Sequence, residues 1–152
     1  MDTVIRNASL RGRKDTADIV IAGEKITAVA PKADGKGRVE IDAGGSLVLQ
    51  GLFNLHHHAD KSLLGEIMRP NLSGTLPEAI EITNDFKRNY DPEEVAARAS
   101  RVIETGIVNG TTFFRLFSDV GTIGGLRAAR GLLIAREHYR QYCDIEVVAF
   151  RP

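Results

Sequence analysis

Over the first fifty residues apolar and polar positions alternate in short runs broken by turn residues. Thr3 to Ala8, Ala17 to Ile21 and Lys25 to Ala30 each read as a strand, the last two joined at Gly23-Glu24 as a hairpin. Arg38 to Asp42 and Ser46 to Leu49 read as two more strands around Gly44-Gly45. Alternation of this kind suits a sheet with one buried face, and fifty residues make a thin unit with little core of its own. At Gly51 the pattern changes. Leu52 to His58 is a compact strand, followed by a polar stretch from Lys61 to Thr75. Leu76, Ala79, Ile80, Ile82 and Phe86 recur at helical spacing up to Arg88. Asp91-Pro92-Glu93-Glu94 carries the marks of a helix start, with a capping carboxylate, a proline in the first turn and acids on the positive end of the dipole. Val95, Ala99, Val102, Ile103 and Ile107 continue that helix to Gly110. Thr111 to Phe117 is β-rich, Gly124 to Gln141 is helical with Leu126, Ala129 and Leu133 as its apolar face, and Ile145 to Phe150 closes as a strand. Strands alternating with helices after residue 50 predict an α/β unit with a parallel sheet.

Candidate chemistry concentrates where the strand from Leu52 ends, at His56-His57-His58-Ala59-Asp60-Lys61. Side chains on a strand alternate with a period of two, so His56 and His58 share a face and His57 takes the other. Neutral imidazole is a ligand for zinc, iron, copper and nickel. Two imidazoles are half a site, because a catalytic centre of the zinc type takes three protein ligands and leaves one position open. The remaining histidine, His138, sits among Arg136, Glu137, Tyr139 and Arg140 and is expected to be a solvated surface residue.

Composition narrows the function classes. Twenty basic residues against twenty acidic ones, scattered along the chain, give no net field for nucleic acid or an anionic membrane. No apolar run approaches the roughly 20 residues that cross a bilayer. Cys143 is the single cysteine, so no internal disulfide can form and a cytoplasmic location is expected. One cysteine also excludes a cytidine-deaminase site built on a Pro-Cys-x-x-Cys run.

The segment Gly51-Leu52-Phe53-Asn54-Leu55-His56-His57-His58-Ala59-Asp60-Lys61 resembles the first barrel strand of the amidohydrolase superfamily, with its His-x-His signature followed by Asp-Lys. The preceding fifty residues resemble the small β-sandwich that opens those proteins. Asn71-Leu72-Ser73-Gly74-Thr75-Leu76 and the following helix resemble the cytosine deaminase branch, which includes enzymes that remove amino groups from triazine rings. Arg115 and Asp119 match the Arg and Asp of that branch's second-strand motif, and Val148-Ala149-Phe150 its third strand. The resemblance implies a portion of an N-terminal β-sandwich over residues 1–50. Residues 51–152 would be about the first three strands of a metal-dependent (β/α)8 TIM barrel. It implies that His56 and His58 hold a divalent metal ion, Fe or Zn. Asp60, Ser73, Gly74, Thr75 and Leu76 would lie around the substrate, a pyrimidine- or triazine-like nitrogen heterocycle whose C–N bond is hydrolysed by metal-activated water.

Three departures stand out. Phe117 occupies a position where the branch has a histidine, and Pro152 one where it has a substrate-binding glutamine. Strands four to eight, with the other metal ligands and the proton-shuttling Glu and His, are missing, so no catalytic residue is expected within this stretch. A (β/α)8 barrel takes about 250 residues. An open sheet of three strands exposes its edges and one wall, and these point to a homo-oligomer. As an isolated chain it is expected to hold metal weakly and turn over nothing. The opposing reading is a non-enzymatic truncated relative, acting as an assembly or binding module, or the product of a decaying gene.

Overall fold

In the computed structural model, which describes residues 1–151, the chain forms two compact units, Met1–Gln50 and the residues from Gly51 onward. The first unit is a single four-stranded sheet of β1 (Thr3–Ala8), β2 (Ala17–Ala22), β3 (Lys25–Ala30) and β4 (Val39–Asp42), in the order β3-β2-β1-β4. Neighbours β1–β2 and β2–β3 run antiparallel and β1–β4 run parallel. Only one layer of a sandwich is thus present among the described residues. Ser46–Leu49, expected as a fifth strand, makes a single bridge from Leu47 to Ser9. Its apolar residues find no second layer to bury against, and Leu47 and Leu49 stay exposed. Register puts Ile5, Ile19, Val29 and Ile41 on one face, where Val29 and Ile41 are exposed.

The other face of this sheet carries a partly buried ion pair. Asp18 accepts hydrogen bonds from the Ala33 and Asn7 amides at 3.0 Å each and from the Arg6 guanidinium at 2.8 Å. The Ala33 amide, then Arg6, then the Asn7 amide hold its carboxyl down at about 2. A carboxyl lowered on folding stabilises fully above its unfolded value of about 3.9, and that contribution fades as pH falls toward its folded value. The first unit is therefore expected to lose stability between about pH 4 and pH 2. Denaturant midpoints across that window, compared with Asp18→Asn, check this: the variant should have a flatter acid limb.

The second unit is a parallel three-stranded sheet, β5 (Leu52–His57), β6 (Thr111–Asp119) and β7 (Asp144–Phe150), in that order. Three helices accompany it, α1 (Leu76–Lys87), α2 (Pro92–Val108) and α3 (Arg127–Tyr139). Asp91 caps α2 by accepting the Glu93 amide, with Pro92 in the first turn. None of these helices is long and apolar enough to cross a membrane. The core lies between the sheet and α2 with α3. Phe114 and Leu116 of β6 meet Val95, Ala99 and Ile103 of α2 and Leu132 and Ala135 of α3. On α3 the buried residues are Ala128, Gly131, Leu132, Ala135 and Tyr139, whereas Leu126 and Leu133 are exposed, so the face expected from sequence is displaced by about a residue. Close approach of α2 is the reason. A Cβ on Gly131 would stand 2.7 Å from the Pro92 carbonyl oxygen and from Val95, so small residues rather than leucines define the contact. Helix α1 buries only Ile82; Leu76 and Ile80 face outward.

Strand β6 alternates cleanly. Phe114, Leu116 and Ser118 are buried toward the helices, while Phe113, Arg115 and Phe117 line the opposite, open face. Strand β5 does not. Asn54 pairs with Phe114 and His57 with Leu116, so Leu55 and His56 together oppose Arg115 alone. This β-bulge resets the alternation just before the histidines, a device that re-aims side chains near functional sites.

Candidate metal and substrate site

The open face of the β5-β6-β7 sheet brings His56 and His58 together at its C-terminal end. Their ring centroids are 5.2 Å apart with the planes at 70°. Phe117 stacks on His56 at 4.4 Å and touches His58 at 5.9 Å, and Phe150 meets His58 edge-on at 5.7 Å. The position where the branch has a histidine therefore holds an apolar ring that packs on the metal-ligand candidates. His57 pairs in register with buried Leu116, and its Nε2 lies 3.0 Å from Ser62 Oγ. Burial, then the neighbouring His58, lowers its pKa. For His58 burial is again the larger cause of a lowered value, followed by the Lys61 ammonium. Both shifts favour the neutral imidazole that a metal requires. Among the described residues no third His, Cys, Asp or Glu joins the pair in a metal-holding cluster. The donor set fits two positions of a zinc-type centre and leaves the third ligand to come from elsewhere.

Behind the pair, the turn Ala59–Lys61 is locked from three sides. Asp60 is 0% exposed, and its Oδ2 accepts the Asp119 amide at 3.0 Å. Burial raises its pKa, partly offset by that amide. Its Oδ1 has no hydrogen-bond partner. Tyr90 Oη donates to the Asp60 carbonyl at 3.0 Å, and Arg98 donates to the Asp60 and Ser62 carbonyls at 2.9 and 2.8 Å. The Arg98 guanidinium also pairs with Glu94 and sits 5.6 Å from the Tyr90 ring centroid. Directly after Ser62 comes Leu63, at φ +61°. A left-handed backbone costs a non-glycine residue about 1–2 kcal/mol, so Arg98 holds a strained turn in place.

Asp119, at the end of β6, gathers the charges. Its Oδ1 accepts from Lys61 at 2.7 Å, its Oδ2 pairs closely with Lys87 at the end of α1, and His58 Nδ1 lies 3.9 Å from Oδ1. Burial works to raise the Asp119 pKa, but the two ammoniums outweigh it and the value is lowered. Lys61 Nζ also reaches His58 Nδ1 at 3.0 Å. Beside this network runs a groove of about 1020 Å³, lined by Lys61, Leu76, Ile80, Lys87, Asp119 and Ile123 among others.

The residues expected around the substrate separate. Asp60 lies buried beneath the turn, with no surface of its own. Ser73, Gly74 and Thr75 spend their polar groups locally. The Gly74 amide donates to Asn71 Oδ1 at 3.0 Å, Ser73 Oγ lies 2.8 Å from Thr75 Oγ1, and the Ser73 amide and hydroxyl both donate to Glu78. Leu76 lines the groove, and Gly74, at φ +67°, makes the turn that presents it. Arg115 faces out and pairs with Glu146 across β6 and β7 at 2.6 Å. Pro152 lies outside the described residues. His138 is exposed. Tyr90, Arg98 and Lys87 escaped the sequence reading. Their partners lie 30, 38 and 32 residues away, and the visible hint was Glu94 standing four residues before Arg98.

No protein-family model matches the chain. N-isopropylammelide isopropyl amidohydrolase of Pseudomonas sp. (strain ADP) is 33% identical over 98% of the chain. 5-Methylcytosine deaminase of Klebsiella pneumoniae, solved with 5-fluorocytosine, superposes with a TM-score of 0.84 at 29% identity over 97% of the chain. The chain is similar to members of the amidohydrolase superfamily. It spans 38% of the length of the Pseudomonas amidohydrolase and 36% of the solved deaminase, matching the N-terminal part of such structures. A more distant amidohydrolase-superfamily structure, the atrazine chlorohydrolase of Arthrobacter aurescens complexed with zinc, shares the fold with a TM-score of 0.70 at 20% identity over 97% of the chain and 35% of its own length.

Proposed function

We propose that the chain supplies the metal-gripping first strands of a (β/α)8 hydrolase that cleaves a C–N bond of an amino-substituted nitrogen heterocycle of the pyrimidine or triazine kind. The observation that carries this reading is the pairing of His56 and His58 on the open face, backed by the locked Asp60 turn. When bound, a divalent ion such as iron or zinc supplies the Lewis acidity that brings water toward ionisation near neutral pH. His56 and His58 would hold it. The turn fixed by Tyr90 and Arg98 keeps the two rings in place, and Phe117 and Phe150 keep water from their flanks. The groove beside Lys61 and Asp119 offers apolar walls at Leu76 and Ile80 with charge at one end, which suits a flat, substituted heterocycle. The names of the relatives, an isopropylammelide amidohydrolase and a methylcytosine deaminase, support that substrate class. A cytoplasmic location and a homo-oligomer belong to the same proposal. The oligomer is supported by the exposed Leu52, Phe53, Leu55 and Phe150.

The test is to express this sequence together with whatever coding sequence follows the Pro152 codon. Metal content and release of ammonia or alkylamine from cytosine and aminotriazines are then measured. One divalent ion per chain with amine release is the expected result. A metal-free protein that leaves every such ring intact would refute the reading.

A further inference from the structure

We infer that Asp119 is the positioning residue for His58, and that Lys61 is an exchangeable partner which leaves His58 for Asp60 when the imidazole takes up a metal. This rests on the reading of His56 and His58 as ligands. A neutral imidazole carries one proton, and the nitrogen without it is the one that binds a metal or accepts a hydrogen bond. His58 Nδ1 faces the Lys61 ammonium at 3.0 Å and Asp119 Oδ1 at 3.9 Å. An ammonium has donors only. While Lys61 stays, Nδ1 must therefore accept, and the proton sits on Nε2. Both ring nitrogens are then committed, and the ring is not a ligand.

Ligation through Nε2 needs the proton on Nδ1 and an acceptor facing it. Asp119 Oδ1 is the carboxylate oxygen in reach. Asp119 is well held for the task. Its amide is bound to Asp60 Oδ2 and its Oδ2 is paired with Lys87, which leaves Oδ1 to serve His58 once Lys61 departs. A metal at Nδ1 would instead have to displace the Lys61 ammonium. The departing Lys61 has a destination. Asp60 Oδ1 is buried, has no hydrogen-bond partner and lies 3.9 Å from Lys61 Nζ. A small swing of one side chain thus satisfies an orphaned carboxylate oxygen, frees His58 Nε2 and builds the carboxylate–imidazole arrangement that orients metal ligands.

The experiment is long-range 15N–1H NMR of the histidine rings in the whole chain, at about pH 8.5, some two units above the ordinary imidazole value. Without metal, His58 should carry its proton on Nε2, and Lys61→Met should move that proton to Nδ1. A His58 that keeps its Nε2 proton in Lys61→Met overturns the proposal. Titration with 113Cd should couple the metal to His58 Nε2, and coupling to Nδ1 overturns it independently of any variant. Asp119→Asn should weaken Cd binding about 10–100-fold, whereas Lys61→Met should not weaken it. Equal losses in the two variants would mark Asp119 as merely structural and also overturn the proposal. If no Cd binds at His56 and His58, the metal reading fails, and the proton position in Lys61→Met decides the Asp119 assignment alone.

Discussion

Replacing His56 or His58 by alanine is expected to lower affinity for zinc or cobalt by at least about 100-fold, more than loss of an outer partner, which costs 10–100-fold. Each imidazole is one of two donors on the open face, and no other His, Cys, Asp or Glu completes a cluster with them among the described residues. The controls are built into the sequence. His57→Ala should leave affinity within a few-fold, because its ring is engaged with Ser62 and lies in register with buried Leu116. His138→Ala should change nothing, since that ring is exposed on α3. Calorimetric titration of the chain and its variants measures all four. Equal losses at His56 and His57 would mean that the pair is not the binding unit.

The second large effect is expected at Arg98. Arg98→Met keeps most of the stem but removes the donors to the Asp60 and Ser62 carbonyls. A buried acceptor left without a partner costs about 1–3 kcal/mol. Tyr90 Oη still serves Asp60, so the Ser62 carbonyl carries most of the penalty. Release of the strained Leu63 backbone offsets a little of it. A net loss of about 1–3 kcal/mol follows, measurable as a shift in the urea midpoint at constant slope. Tyr90→Phe should cost about 1 kcal/mol, because Arg98 continues to hold the same carbonyl. Arg98→Lys should recover only part, since Nη1 holds both carbonyls while Nε and Nη2 hold Glu94, and a single ammonium lacks the planar fork that does both at once. An Arg98→Met midpoint equal to the parent would show that the turn stands without its clamp.

Short-range rules made much of this legible from sequence. The period of two on a strand placed His56 and His58 on one face. The Asp-Pro-Glu-Glu run marked the start of α2, and alternating strands and helices implied the parallel sheet. What escaped depends on contacts between distant residues. Arg98 looks like any helical arginine with an acid four residues back; its burial follows from a turn 36 and 38 residues earlier. Asp119 was visible as a motif residue, but its two lysines come from separate elements. The face of α3 was misjudged because helical periodicity counts leucines, whereas close packing on α2 is set by Ala128, Gly131 and Ala135. Ser73 to Thr75 are placed near the substrate by the family resemblance alone, and in the fold their polar groups bond one another, Asn71 and Glu78.

The bulge in β5 has a consequence for how this segment tolerates changes in length. Leu55 and His56 share one position opposite Arg115, so the strand carries a spare residue just ahead of the histidines. Loss of Leu55 would leave a plain ladder in which His56 still faces Arg115, His57 still faces Leu116, and His58 keeps its place beside Phe117. The wall upstream, with its exposed Leu52 and Phe53, can therefore shorten by one residue while the imidazoles hold their phase. Descent can rework the lining of that wall by deletion, and not only by substitution, without first displacing the histidine pair.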